Sequence, residues 1–172
     1  RYVVKNNPRD PFAADAGEDK EIDRGESTTL TAELIDEAAI YNWYDMEGNL
    51  IYTGKDLSIS PEVSKKYHLE VIALSDGMKK YDAADVKVNP YFITNLSPNP
   101  ASSTVIVDYF AEGASQPYII LVNTNTGDEN MYPINPLVTQ KSIQVSSYSP
   151  GIYTVKLLCD GMYFSGKNLT IY

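Results

Sequence analysis

The chain has 172 residues, enough for one ordinary domain or two small ones, and its 43% hydrophobic content argues against global disorder. A formal net charge of −9 speaks against nucleic-acid binding and against electrostatic adhesion to anionic membranes. No segment approaches the ~20 apolar residues needed to span a bilayer, and the single cysteine excludes an intrachain disulfide without deciding the compartment.

Arg1 to Lys5 lack the apolar core of a signal peptide, and Asn6 to Asp10 have linker composition. Residues 1–10 are therefore read as a linker from an upstream part of a longer protein. Tyrosine is frequent, with 14 copies against 4 Phe and 1 Trp, a bias that suits half-buried β-structure. Turn signals recur about every eight to twelve residues with short alternating runs between them, the rhythm of an all-β sandwich.

In the first half, Thr28 to Leu34 alternates with Leu30, Ala32 and Leu34 on one face. Glu33 to Ile40 is too short for a helix and reads as a strand end and turn. Tyr41 to Tyr44, Leu50 to Thr53 and Leu57 to Ile59 follow as short strands. Tyr67 to Ala73 is the clearest, with Tyr67, Leu69, Val71 and Ala73 inward, and Tyr81 to Val88 turns Ala84, Val86 and Val88 inward. That makes about six strands, close to what an Ig-like sandwich needs.

Asn89-Pro90 is predicted to stop a strand, because proline lacks a ladder donor and restricts its predecessor. A second β-pattern follows. Ile93 to Leu96 leads into Ser97-Pro98-Asn99-Pro100, and Thr104 to Phe110 places Val105, Val107 and Tyr109 on one face. Tyr118 to Val122 is apolar on both faces, as a central strand would be. Met131-Tyr132, Ser142 to Val145, Ile152 to Cys159 and Met162 to Tyr172 complete the set, with Asp160-Gly161 as a hairpin turn. The expectation is two tandem Ig-like Greek-key β-sandwiches, residues 11–89 and 90–172, joined by a short hinge.

The second half resembles the C-terminal sorting domain of the type IX secretion system of Bacteroidota. Three stretches carry the resemblance in order: Leu96 to Ser102 with its Pro98-Asn99-Pro100, Gly151 to Lys156 with Gly151 and Tyr153, and Gly166-Lys167-Asn168-Leu169. The first half is similar to the Ig-like or PKD-like modules that often precede such domains. Asp15 to Asp19, Tyr41-Asn42-Trp43 and Lys66 to Val71 carry that similarity, without the inter-sheet cysteines of antibody domains. The resemblance implies export of an upstream cargo through the periplasm to the outer-membrane surface or beyond. The implied partners are the type IX translocon, a sortase-like surface peptidase and anionic lipopolysaccharide. Removal of the domain is expected by a cut in the Val88–Ile93 hinge or upstream of it, since exposed linkers suit peptidases.

Each singled-out residue also has a plain structural reading. Pro98-Asn99-Pro100 is a rigid turn and, in the sharper reading, a surface read by the secretion machinery. Gly151 suits a backbone conformation closed to larger residues, and Tyr153 falls on the core parity of its strand. Tyr163, Lys167, Leu169 and Ile171 share a parity, so Lys167 either blunts a sheet edge or serves recognition, and a bulge at Gly166 could re-aim it.

No catalytic residues are expected. His68, the one histidine, alternates outward, and Cys159 falls on an apolar parity. No cofactor is expected, and the weak calcium candidates Asp15, Glu18, Asp19 and Asp23 do not have EF-hand spacing. The alternative function is a glycan- or protein-binding adhesion module centred on the first sandwich, through Tyr41, Tyr44 and Tyr52.

Overall fold

The computed structural model describes residues 12–172; the linker expected over residues 1–10 lies outside them. The described chain is all-β. Seven strands belong to a first unit ending at Val88: β1 (Lys20–Asp23), β2 (Thr28–Thr31), β3 (Ala39–Tyr44), β4 (Leu50–Thr53), β5 (Asp56–Ile59), β6 (Lys65–Ala73) and β7 (Lys79–Asn89). Seven more form a second unit from Asn89: β8 (Phe92–Ser97), β9 (Thr104–Phe110), β10 (Tyr118–Asn123), β11 (Glu129–Pro133), β12 (Gln140–Gln144), β13 (Gly151–Cys159) and β14 (Met162–Ile171).

Both units are Ig-like sandwiches with one strand plan. The second packs the sheet β11-β10-β13-β14 against β12-β9-β8. The first has β1-β7-β6-β3-β4 against β2-β5, so its first strand sits beside its last instead of beside its second. Strand β1 was missed in the sequence because KEID reads as a charged run. Ile22 is its one buried side chain. Leu34 is a second correction: expected inward, it is 63% exposed, because the strand ends at Thr31. The next amides turn to other partners, Ala32 N–H to Lys55 O and Glu33 N–H to Asp15 O.

Alternation places the two cores. Tyr67, Leu69 and Val71 of β6 are buried in one core with Leu30, Trp43 and Val86, Ala73 is buried on the same parity, and the Trp43 indole N–H donates to Gly54 O at 3.1 Å. In the second unit Val105, Val107 and Tyr109 face Tyr153, Val155, Leu157 and Cys159. Strand β10 lies between β11 and β13, which explains its double apolar character. Ile120 shares a face with Lys156 and Met131, opposite to the core, and is still buried.

A tight approach fastens the start of the first sandwich. Ala16 N–H donates to Asp82 Oδ2 at 2.8 Å, and Gly17 sits at φ +76 where a Cβ would lie only 2.6 Å from the Thr31 carbonyl oxygen. Only glycine tolerates both conditions. Gly17→Ala is expected to destabilise the first sandwich by about 2–3 kcal/mol, from positive φ and the clash together. Thermal melting of the variant against the parent reads this directly, and an unchanged melting temperature would contradict it.

Candidate functional site

The segments singled out at Pro98-Asn99-Pro100 and at the end of the chain meet in space. After β8 the chain crosses from the three-stranded sheet to the four-stranded one, and the turn hooks onto the free edge of β14 there. Both prolines follow cis peptide bonds. Asn99 supplies the contact. Its side-chain amide donates to Asn168 O at 2.8 Å, and its Oδ1 accepts from Thr170 N–H at 3.0 Å. The side chain thus imitates a paired strand residue at a position flanked by two prolines, which have no N–H to offer. Ala101 then pairs in earnest, donating to Thr170 O at 2.9 Å and accepting from Tyr172 N–H at 3.0 Å. Pro98, Asn99 and Pro100 stay exposed over this junction.

Lys167 sits one residue from the clamped stretch. It pairs with the buried Val155 and shares its face with Leu169 and Ile171, yet it is exposed. An inward-facing charge on an edge strand is a device against sheet-to-sheet association. A bulge precedes it: Gly166 pairs with Lys156 and Phe164 with Leu157, leaving Ser165 as the extra residue. The bulge does not re-aim Lys167 relative to Leu169. It reverses the strand before it, so Phe164 packs on the core and Tyr163, expected inward, is 56% exposed with the Lys156 ammonium 5.4 Å from its ring centre.

Gly151 opens β13 at φ +157, and Tyr153 is buried two residues on. The Tyr153 hydroxyl donates to Ser149 O at 2.9 Å and accepts from Asn123 Nδ2 at 3.2 Å. A tyrosine that bonds back to the backbone a few residues upstream fixes the corner of a sandwich. Its ring meets Tyr148 edge-on at 5.5 Å, and the Tyr148 and Tyr132 hydroxyls are hydrogen-bonded to each other. Burial and the Tyr132 hydroxyl push the Tyr148 phenol above its ordinary value. Tyr153 is thus architectural, whereas the turn and the last strand form an exposed patch.

The hinge is shorter than its expected span. Only Pro90 and Tyr91 separate β7 from β8, and Val88 and Ile93 are buried. Tyr91 packs edge-on against Phe164 at 5.1 Å, and its hydroxyl donates to Asp160 Oδ2 at 3.3 Å. The backbone from Val88 to Ile93 is therefore a poor peptidase substrate without local opening.

The remaining candidates disperse. Asp15 Oδ1 accepts from Gly17 N–H and Asp19 Oδ1 from Asp85 N–H, and among the described residues Asp15, Glu18, Asp19 and Asp23 do not converge into a metal-ligating group. His68 is exposed on β6. Cys159 is buried, and burial with the nearby Asp160 charge pushes its thiol up to about 11. Of the first-sandwich tyrosines, Tyr41 is a correction: it is 7% exposed, a core residue whose hydroxyl accepts from Ile35 N–H, while Tyr52 remains exposed.

Glu70 is a site the sequence did not signal. It lies on the outward parity of β6 and is 5% exposed. Lys79 Nζ (2.8 Å) and the Tyr81 hydroxyl (3.2 Å) donate to Oε1, while Asn42 Nδ2 (3.2 Å) and the Tyr44 hydroxyl (3.1 Å) donate to Oε2. The lysine bond leads in holding the carboxyl down at about 2, with the three neutral donors assisting against burial. Saturated on both oxygens, this carboxylate is a structural hub that ties β3, β6 and β7 together.

No family model matches the chain, and no curated protein matches it. Among solved structures it is similar to a biofilm-associated protein BSP domain, at 15% identity and TM-score 0.34, over 88% of this chain and 28% of that one. A two-domain fibronectin type III segment of chicken tenascin aligns at 9% identity and TM-score 0.38, over 84% of this chain and 89% of the other. Dimeric latent PorU from Porphyromonas gingivalis aligns at 10% identity and TM-score 0.39, over 91% of this chain and 19% of that one. The chain thus spans well under two thirds of the first and third of these proteins.

Proposed function

We propose that residues 90–172 are a sorting domain of the type IX secretion kind, and that the first sandwich is a spacer between it and the exported cargo. The observation that supports this reading is the Asn99 clamp. It joins two stretches that carry the sequence resemblance, Pro98-Asn99-Pro100 and Gly166-Lys167-Asn168-Leu169, so that the exposed Pro98, Asn99, Pro100, Lys167 and Asn168 lie in one patch. A receptor can read a rigid patch of this kind at low entropic cost. The proposed readers are the outer-membrane translocon and a sortase-like surface peptidase, with attachment to anionic lipopolysaccharide as a later step. Export through the periplasm would place the cargo at the cell surface or beyond. The role is non-enzymatic. Any processing cut is placed upstream of the first sandwich, because the two-residue hinge is held by Tyr91.

Substitution of the exposed prolines tests recognition apart from folding. The double variant Pro98→Ala/Pro100→Ala is first shown to be folded by a cooperative melt and a parent-like circular dichroism spectrum. The cargo should nevertheless accumulate in the periplasm of a type IX-competent host. Wild-type surface display by the folded variant would reject the turn as a recognition element. Normal display after deletion of residues 91–172 would reject the sorting function altogether.

A further inference from the structure

A cleft of about 890 Å³ opens between the edge strands β11 and β12, on the side of the second sandwich away from the Asn99 clamp's strand β14. This size lies within the range of about 300–1,000 Å³ typical of small-ligand sites. Its polar lining is mostly uncharged. Asn125 and Asn130 come from the β10–β11 hairpin, and Gln144 and Ser147 from the end of β12 and the segment after it, all of them exposed. Tyr132 and Tyr148 add half-buried rings, with Tyr153 behind them.

Charge is nearly absent from this lining, although the chain as a whole carries −9. Lys141 and Asp128 are the two ionic groups of the cleft, one of each sign, and the Thr126 hydroxyl already donates to Asp128 at 2.7 Å. An anionic or cationic ligand finds no net complement there. A polyol does. Side-chain amides each donate and accept, which matches the dual character of vicinal hydroxyls. Tyrosine rings offer flat, amphipathic surface to the C–H faces of a sugar.

The site is also held in place before any ligand arrives. Asn123 Oδ1 accepts from Asn125 N–H at 2.9 Å and Thr126 N–H at 3.2 Å, fixing the hairpin that presents Asn125. The Tyr132–Tyr148 hydroxyl pair and the Tyr148–Tyr153 edge contact lock the aromatic side. Among the described residues, the side-chain amides of Asn125 and Asn130 have no hydrogen-bond partner, so they stand ready for one. An extended peptide pairing with the strand edges is the poorer fit, because β11 is five residues long and ends at Pro133, which has no N–H.

We propose that the cleft between β11 and β12 binds neutral oligosaccharides. The inference does not rest on the sorting role. The test exposes the full chain to an array of neutral hexose and N-acetylhexosamine oligosaccharides beside sialylated, sulfated and uronate-containing ones, followed by calorimetric titration of the best binder. Neutral glycans should be retained, and Asn125→Ala/Asn130→Ala should weaken that binding about tenfold or more through two lost hydrogen bonds. The variant's melting temperature should not move, since both side chains are exposed. Binding confined to acidic glycans, no binding at millimolar ligand, or full binding by the double variant would each overturn the assignment.

Discussion

Deletion of residues 168–172 is expected to unfold the second sandwich and to leave the cargo in the periplasm. Leu169 and Ile171 are fully buried in the second core, and loss of each is worth about 2–5 kcal/mol. Their sum reaches the scale of a whole domain's stability, about 5–15 kcal/mol. The deletion also strips Asn99 and Ala101 of their partners on β14. Asn99→Ala isolates the clamp from the core. It removes two side-chain bonds at a surface position, where water can satisfy the released backbone groups, at a cost of about 1–2 kcal/mol. The protein should stay folded, with faster amide exchange at Thr170 and reduced export. Circular dichroism, hydrogen exchange and cell fractionation together separate the two variants. Full surface delivery by the folded Asn99→Ala protein would dissociate the clamp from sorting.

Acidification is expected to weaken the first sandwich through Glu70. Its carboxyl titrates at about 2 in the folded chain, below its ordinary 4.5. A depressed folded value means stability that is fully present above about pH 4.5 and is lost as pH falls through about 2. The difference corresponds to at most about 3 kcal/mol, and nearer 2 once the half-exposed Lys79 is allowed for. Glu70→Ala should cost about 2–3 kcal/mol at neutral pH, because the carboxylate's bonds to Lys79, Tyr44, Tyr81 and Asn42 all go. For a domain of this size that is a fall of about 10–20 °C in melting temperature. The variant should also show a flatter stability profile between pH 5 and 2. A parallel profile in variant and parent would show that other groups carry the acid response.

Alternation makes the two cores legible in the sequence. Strands β6, β7, β9 and β13 bury the faces their sequence parity assigns, because a period of two leaves a single choice once one face is apolar. Three kinds of feature escaped. Strand β1 has one buried side chain among charged neighbours, so it carries no periodic signal. Tyr163 and Phe164 exchange faces because Ser165 is inserted into the ladder, and nothing in the sequence Met162 to Lys167 specifies where a bulge falls. Glu70 and Asn99 depend on register and on sequence-distant partners. The tyrosines and lysine that cover Glu70 come from two flanking strands, and cross-strand neighbours cannot be read from one strand's pattern. The stretches that carry the family resemblance were visible separately, but their junction was not.

The clamp spans a long stretch of chain. Asn99 lies 69 residues from Asn168 and 71 from Thr170, with strands β9 to β13 and the first part of β14 laid down between them. A contact of such separation is held only while the intervening strands are in place, because the loop entropy of that stretch opposes it. A receptor that requires the closed turn therefore inspects the history of the molecule as well as its address. Nascent, misfolded or proteolytically nicked chains carry the same Pro-Asn-Pro letters without the geometry, and would be refused at the gate before they could block it.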